Sequence, residues 1–381
     1  MELSIEKFKV RNFFIFLTFF FMGFYQFNLT FIFFVISSLL LIRNLNKRKL
    51  DKDLFIYFGL TYSGVVLFYL ISFINGMYDN FNNKGEVVAV LLFIVITFII
   101  LLFTKKDNYN AILNGFIFGL GGYSLVCLWS TMFEMNQISA YGKVWNPFLQ
   151  VYQNSPTHAI NLALLVTMLL INIKNVKFIL TKFFNILLLF VCVYFGLYAG
   201  SRVFVLISLI SLTVIFFDKK FAVLIPLIVV LFFIALSFFN DFINLDSLAS
   251  LDRITTEGSE SGRYKLYELG INNLFAYPFG GYYIDNGTYG TIWNHNLFLD
   301  ISRMSGLIPL LLILLSFSFI ARKILSNFKN VDKSFLLIFS CLFILMMQDV
   351  VFMGHYLLFI LSFLISSLLI IGSKGEKSVY H

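Results

Sequence analysis

What most constrains this chain is the recurrence of apolar runs about 17–22 residues long, as at 87–103 and 221–239. A helix rises about 1.5 Å per residue, so each such run is long enough to cross a hydrocarbon core about 30 Å thick. In lipid, a backbone must satisfy its own hydrogen bonds, so the expected fold is all-α and integral to a membrane. Read in order, the runs predict about twelve spans, centred near Phe19, Val35, Val65, Ile94, Phe118, Leu165, Phe190, Ile210, Val230, Leu311, Phe343 and Leu361. Composition agrees. The chain is 59% hydrophobic and only 13% charged, with a mean hydropathy of +0.87, outside the range of soluble domains.

A net charge of +8 and a pI near 9.2 would suit a nucleic-acid binder, but the placement of the charges excludes that reading. The cations fall in clusters between apolar runs: Arg43 to Lys52, Lys105 and Lys106, Lys174 to Lys182, Lys219 and Lys220, and Arg322 to Lys333. With the N-terminus inside, every cluster lands on the cytoplasmic side, and so does the Lys374/Lys377 tail, as the positive-inside rule requires. An even number of spans with both termini cytoplasmic follows. The first apolar run, about 13–25, lacks a small-residue cleavage site and leads at once into another span, so it reads as a helix and not as a cleaved signal. Cys127, Cys192 and Cys341 lie within apolar runs and read as inert core residues. The whole chain, 1–381, reads as a single multi-pass domain without internal repeats.

Beyond the short turn at Gln26-Phe27-Asn28, the outer connections are 75–86, 134–156, a tight turn at Gly200-Ser201, 240–292 and a turn near Gly354. The segment 240–292 alone is long enough to be an inserted loop with a role of its own. Within it, Tyr264, Leu266, Tyr267, Ile271 and Leu274 predict an amphipathic helix lying on the bilayer. The aromatic, turn-rich run from Tyr277 through Pro278, Gly280 and Gly281 to Tyr283 ends that helix.

Three polar residues stand out at the outer face. Arg202 follows Gly200-Ser201 between two apolar runs, on the side where cations are rare; a charge at that depth marks a functional position more readily than a snorkelling side chain. Arg263 opens the amphipathic helix, where a guanidinium fork and free N–H groups suit a phosphate; pairing with Glu257 or Glu260 is the alternative. His295 lies in Trp293-Asn294-His295-Asn296 ahead of the tenth span, with Asn294 or Asn296 placed to cap that helix. A neutral imidazole, with an ordinary pKa of about 6.5, can take a proton from a sugar hydroxyl. His158, His355 and Asp349 fall near outer helix ends, while Asp300 and Arg303, one turn apart, are placed to neutralise each other. Asp51-Lys52-Asp53 has the form of a metal-binding DxD, but it sits on the cytoplasmic side and reads as a solvated linker. No set of His, Cys and carboxylates has zinc spacing.

Taken together, these residues resemble the O-antigen polymerase and ligase family of bacterial envelope biosynthesis. The resemblance is carried in order by Ala199-Gly200-Ser201-Arg202, Ser261-Gly262-Arg263, Pro278-Phe279-Gly280-Gly281-Tyr282, His295-Asn296-Leu297-Phe298-Leu299 and Gly306-Leu307. It covers about 187–315; before that only the run of membrane helices is alike. The turn here reads Gly280-Gly281 where the family more often has Gly-x-Gly. The resemblance implies a GT-C-like glycosyltransferase of the bacterial inner membrane, metal-independent and without a cofactor. Its donor is a glycan on undecaprenyl diphosphate at the outer face. Arg202 and Arg263 then hold the diphosphate and His295 stands at the reaction centre. Asn294, Asn296, Tyr282 and Trp293 serve substrate binding, with Tyr277, Tyr283 and Tyr289 as further stacking surfaces for sugars.

The polymerase reading joins donor glycan to a second lipid-linked repeat unit, with a chain-length regulator protein as a possible partner. The ligase alternative transfers the glycan to lipid A–core. A transporter also explains many helices, but transporters place polar residues at the midplane of repeated halves, whereas here they gather at the outer ends.

Overall fold

The computed structural model describes residues 2–42, 51–77, 84–104, 108–216, 263–282, 294–348 and 351–372. The elements are α1 (Glu2–Gly23), α2 (Phe27–Ile42), α3 (Lys52–Ile74), α4 (Lys84–Phe103), α5 (Tyr109–Trp129), β1 (Val144–Asn146), β2 (Val151–Gln153), α6 (Ser155–Asn175), α7 (Ile179–Tyr198) and α8 (Arg202–Phe216). They continue with α9 (Arg263–Asn273), α10 (Leu297–Ser305), α11 (Leu307–Ser326), α12 (Lys333–Met346), α13 (Val351–Gly354) and α14 (Tyr356–Gly372). Among the described residues, six helices are long and apolar enough to cross a membrane: α3 to α7 and α11. Shorter apolar helices are α1, α2, α8, α12 and α14. This is the helical, multi-pass character expected of an all-α membrane protein. Every span centre expected from the sequence falls in one of these helices except Val230, which lies outside the described residues, as does most of the 240–292 loop.

The chain forms two compact units. The first comprises Met1–Met22, Gln26–Leu113 and Ser261–His381. Its centre is α14, where the side chains from Tyr356 to Ile370 are all buried, against α3, α4, α11 and α12. Helices α3 and α11 pack closely because Gly64 has no side chain: a Cβ there would lie 2.9 Å from Ile313. In lipid, where hydrocarbon on either side of a helix is equally apolar, such close approach is a main source of helix association. The pair is tied at one end by Lys323 Nζ and Asp53 Oδ2, 2.9 Å apart. Asp51 caps α3, accepting from the backbone N–H groups of Asp53 and Leu54. The DxD of the sequence is therefore a helix cap and an ion pair.

The second unit, Gly23–Tyr25 and Asn114–Glu260, is centred on α6, enclosed by α7 and α8. Thr167 and Ser211 share a buried hydrogen bond of 2.7 Å, a contact worth about 0.6–2 kcal/mol in a membrane interior. The β1–β2 hairpin is antiparallel, with Trp145 opposite Tyr152. It is pinned through the Tyr123 hydroxyl, which donates to Gln153 Oε1 and accepts from Asn146 Nδ2. Cys127, Cys192 and Cys341 are buried thiols.

One expectation is corrected. The tenth span does not start beside His295. The stretch after His295 forms a separate nine-residue helix, α10, and α11 starts only after a break at Gly306. The cause is local: Gly306 takes φ 80°, ψ −164°, a region that is essentially closed to any residue with a Cβ.

Candidate functional site

The break at Gly306 is held open by the loop that follows α9. Gly280 and Gly281 both adopt left-handed conformations, with φ of 74° and 82°. A Cβ on Gly280 would lie 2.6 Å from the backbone nitrogens of Ser305 and Gly306; one on Gly306 would lie 2.2 Å from Pro278 O. The two glycine turns thus meet backbone to backbone. Their polar groups are exchanged across the contact. Leu307 N–H donates to Pro278 O at 2.8 Å and Gly281 N–H to Arg303 O at 2.7 Å, while Gly306 N–H closes the last turn of α10 onto Ser302 O. The carbonyl of Met304 is taken by Asn75, whose Nδ2 donates to it at 2.9 Å and to Phe279 O at 2.8 Å. A helix end that would otherwise leave open backbone groups is closed by a loop and one amide. Asn75 is the C-cap of α3 and was not among the residues that the sequence singled out.

Upon this scaffold stands the His295 turn. Asn296 caps the short α10 and not the tenth span, accepting from Phe298 and Leu299 N–H through its side-chain oxygen. Asp300, one turn into α10, reaches back over the turn. Its Oδ1 accepts from Asn294 N–H at 2.8 Å and its Oδ2 from Asn296 N–H at 3.2 Å. The carboxylate therefore holds the N–H groups of the residues on each side of His295, in the manner of a capping box shifted by one position. Between these two anchors His295 is forced into the left-handed region, with φ 54°, and remains only half-buried. Tyr267, from α9, closes the far side: its hydroxyl donates to Met347 O at 3.1 Å and lies 3.5 Å from His295 O.

Beneath the turn lie buried polar side chains. Asn294 and Arg303 are buried, and Tyr282 nearly so. Asn294 Oδ1 would be 3.0 Å from a Cβ at Gly270, so that glycine is needed for α9 to approach. Burial pushes the Tyr282 phenol above its ordinary range, against the opposing pull of Ser302, Arg303 and Asn294. The phenol therefore remains a proton-bearing donor and is unsuited to act as a base. The Asp300 carboxylate accepts from two backbone N–H groups, a task that its spacing from Arg303 did not suggest.

Arg263 is the first residue of α9, as expected. Its helix does not have the face the sequence suggested. Leu266 and Gly270 turn inward, Leu266 packing with Tyr282, while Ile271 turns out. Arg202 belongs to the second unit. There it opens α8 directly after a turn in which Gly200 has φ 79°, and it is half-buried. Two features build that turn. Gly196 leaves room for the Phe204 ring, which a Cβ would strike at 2.2 Å, and the Tyr198 hydroxyl donates to Gln137 O at 2.7 Å. His158, also in the second unit, is buried with Nδ1 3.2 Å from Ser124 Oγ. His355 is buried at the start of α14, in the first. Trp293, Tyr283, Tyr289 and Asp349 lie outside the described residues. Among the described residues, no three of His, Cys, Asp and Glu converge as metal ligands.

Comparison with models of known families and with characterised proteins finds no match to either.

Proposed function

We propose that this protein is a membrane glycosyltransferase, a polysaccharide polymerase that joins undecaprenyl-diphosphate-linked repeat units at the outer face of the bacterial inner membrane. The reading includes about twelve spans in a GT-C-like arrangement, with both termini cytoplasmic. The observation that carries it is the His295 turn. A half-buried imidazole sits on a left-handed residue, the backbone N–H groups of the residues on each side bonded to one carboxylate, one short helix ahead of the membrane-length α11. Strain of that kind, over-determined by its surroundings, is characteristic of functional positions.

In the proposed reaction an acceptor sugar hydroxyl lies against His295, which takes its proton as the oxygen attacks the anomeric carbon of the donor. The C–O bond to the diphosphate breaks with inversion, and undecaprenyl diphosphate leaves. Arg202 and Arg263 meet the charge that grows on it, each offering a planar fork of donors. Trp293 stacks on sugar. Asn294, Asn296 and Tyr282 shape the floor on which donor and acceptor meet, and the membrane surface supplies proximity for two lipid-linked substrates.

A broken helix with buried charged residues, as at Asp300, Arg303 and Gly306, is also a feature of transporters. Here the break precedes a full membrane-length helix, and the carbonyls of Ser302, Arg303 and Met304 are bonded within the protein in place of an ion. That weighs toward a scaffold. The test is chain growth by purified protein in bilayers supplied with a defined undecaprenyl-diphosphate glycan. Elongation that is lost in Arg202→Ala and Arg263→Ala, and partly kept in the Lys variants, is expected. Elongation undiminished in both Ala variants would overturn the diphosphate clamp.

A further inference from the structure

The stretch from Ile271 to Tyr282 contains no charged residue, yet much of it is uncovered by the rest of the protein. Phe275 is 79% exposed, Phe279 69% and Ile271 59%, and Tyr277 is also exposed. Ile271 and Phe275 are four residues apart and so share a side of the chain as α9 runs out; Tyr277 and Phe279 follow in the turn. An uncharged aromatic tip is costly in water and needs a partner.

The same tip is fixed at a defined height. Its backbone is bonded to the C-cap of α3, Asn75, and to the first residue of α11, Leu307. Those helices have 23 and 20 residues, so each spans about 30–35 Å, and both end at this loop. The exposed apolar residues continue from the tip onto the helices. Ile74, beside Asn75, is exposed, as are Ile308 and Leu311 at the start of α11. An uncovered apolar surface that runs on from two membrane-length helices, at their common end, has the location and composition of an interfacial aromatic belt.

We infer that Ile271, Phe275, Tyr277 and Phe279 form a wedge seated in the lipid bilayer, at the boundary between headgroups and acyl chains. The inference rests on the membrane reading of α3 and α11 and is independent of the chemistry proposed for His295. The partner is the lipid itself. Through Gly281 N–H on Arg303 O, and through Tyr267 beneath the His295 turn, the wedge sets the depth at which that turn meets the membrane surface.

The test is collision accessibility of spin labels in vesicles of phosphatidylcholine and phosphatidylglycerol, with Cys127, Cys192 and Cys341 replaced by Ser. Labels go on Phe275→Cys and Phe279→Cys, with Glu268→Cys, exposed on α9, as the aqueous reference and Leu315→Cys, exposed in mid-α11, as the hydrocarbon reference. The expected result is an oxygen-to-nickel-chelate accessibility ratio at 275 and 279 raised severalfold over position 268 and below that at 315. Ratios equal to position 268 would overturn the wedge and place the tip in water. Low collision with both reagents at 275 and 279 would overturn it in favour of a protein partner, a second copy included. A water-like ratio at 315 would overturn the membrane reading of α11 on which the wedge stands, and a lipid-like ratio there leaves that reading standing whatever the tip does.

Discussion

Replacing Asp300 with Ala removes the group that accepts from the backbone N–H of the residue on each side of His295. Oδ1 accepts from Asn294 N–H at 2.8 Å and Oδ2 from Asn296 N–H at 3.2 Å. Asn294 is fully buried, so its N–H has no water to turn to. A buried donor that loses its partner costs about 1–3 kcal/mol, and bonds to a charged acceptor lie at the upper end. The buried Asn294 N–H alone gives an expected loss of about 1–3 kcal/mol, and Asn296, only half-buried, adds up to about 1.5 kcal/mol. Part of this is offset if the turn relaxes, because a left-handed residue other than glycine gives back about 1–2 kcal/mol on reverting to an ordinary conformation. Relaxation, however, withdraws His295 from its place. Asp300→Asn should fall between, since one oxygen can still accept from Asn294 while its amide faces a second N–H donor. Thermal unfolding in detergent would measure the stability change, and reaction of His295 with diethylpyrocarbonate, read by mass spectrometry, would follow the turn. Unchanged melting together with unchanged His295 reactivity in Asp300→Ala would refute the reasoning.

Gly306→Ala should fail to yield folded protein, since its Cβ would lie 2.2 Å from Pro278 O in a backbone region that alone costs about 1–3 kcal/mol; normal expression with a normal melting temperature would count against the glycine contact. Asn75→Ala should lower the melting point through loss of its two bonds, about 1–3 kcal/mol, and Asn75→Asp should be no better because a carboxylate would face two carbonyl oxygens. Asp53→Asn breaks a partly exposed ion pair with Lys323, so it should cost no more than about 1 kcal/mol and leave chain growth unchanged, which an activity assay with added divalent cation would check.

Hydropathy made the helices legible. Runs such as 87–103 and 162–171 contain little but apolar residues, and α4 and α6 fall where they were expected. It could not show the α10–α11 break, because apolar residues recur on both sides of Gly306 from Leu297 to Leu315. The break depends on the backbone of Pro278 and Phe279 arriving from elsewhere in the chain. Asn75 was hidden for the same reason. At the end of a span it reads as loop, and its partners are 204 and 229 residues away. His295 and its cap Asn296 were visible as polar residues at an apolar boundary, whereas the task of Asp300 was not. Spacing along a helix suggested Arg303 as its partner, and only the fold brings the N–H groups of Asn294 and Asn296 onto the carboxylate. The amphipathic helix was legible in position but not in orientation: Leu266 and Tyr282 make a small core of their own, which turns Ile271 and Phe275 outward.

The central claim is that His295 acts as the base, and His295→Asn tests it most directly. Asn tolerates the left-handed conformation that φ 54° requires, so the turn and the fold should persist while the proton acceptor is lost. With purified protein, a fluorescent undecaprenyl-diphosphate glycan and an unlabelled acceptor, donor binding and chain growth are measured separately. The account predicts wild-type melting, retained donor binding and no chain growth; chain growth near the wild-type rate in that variant would contradict it.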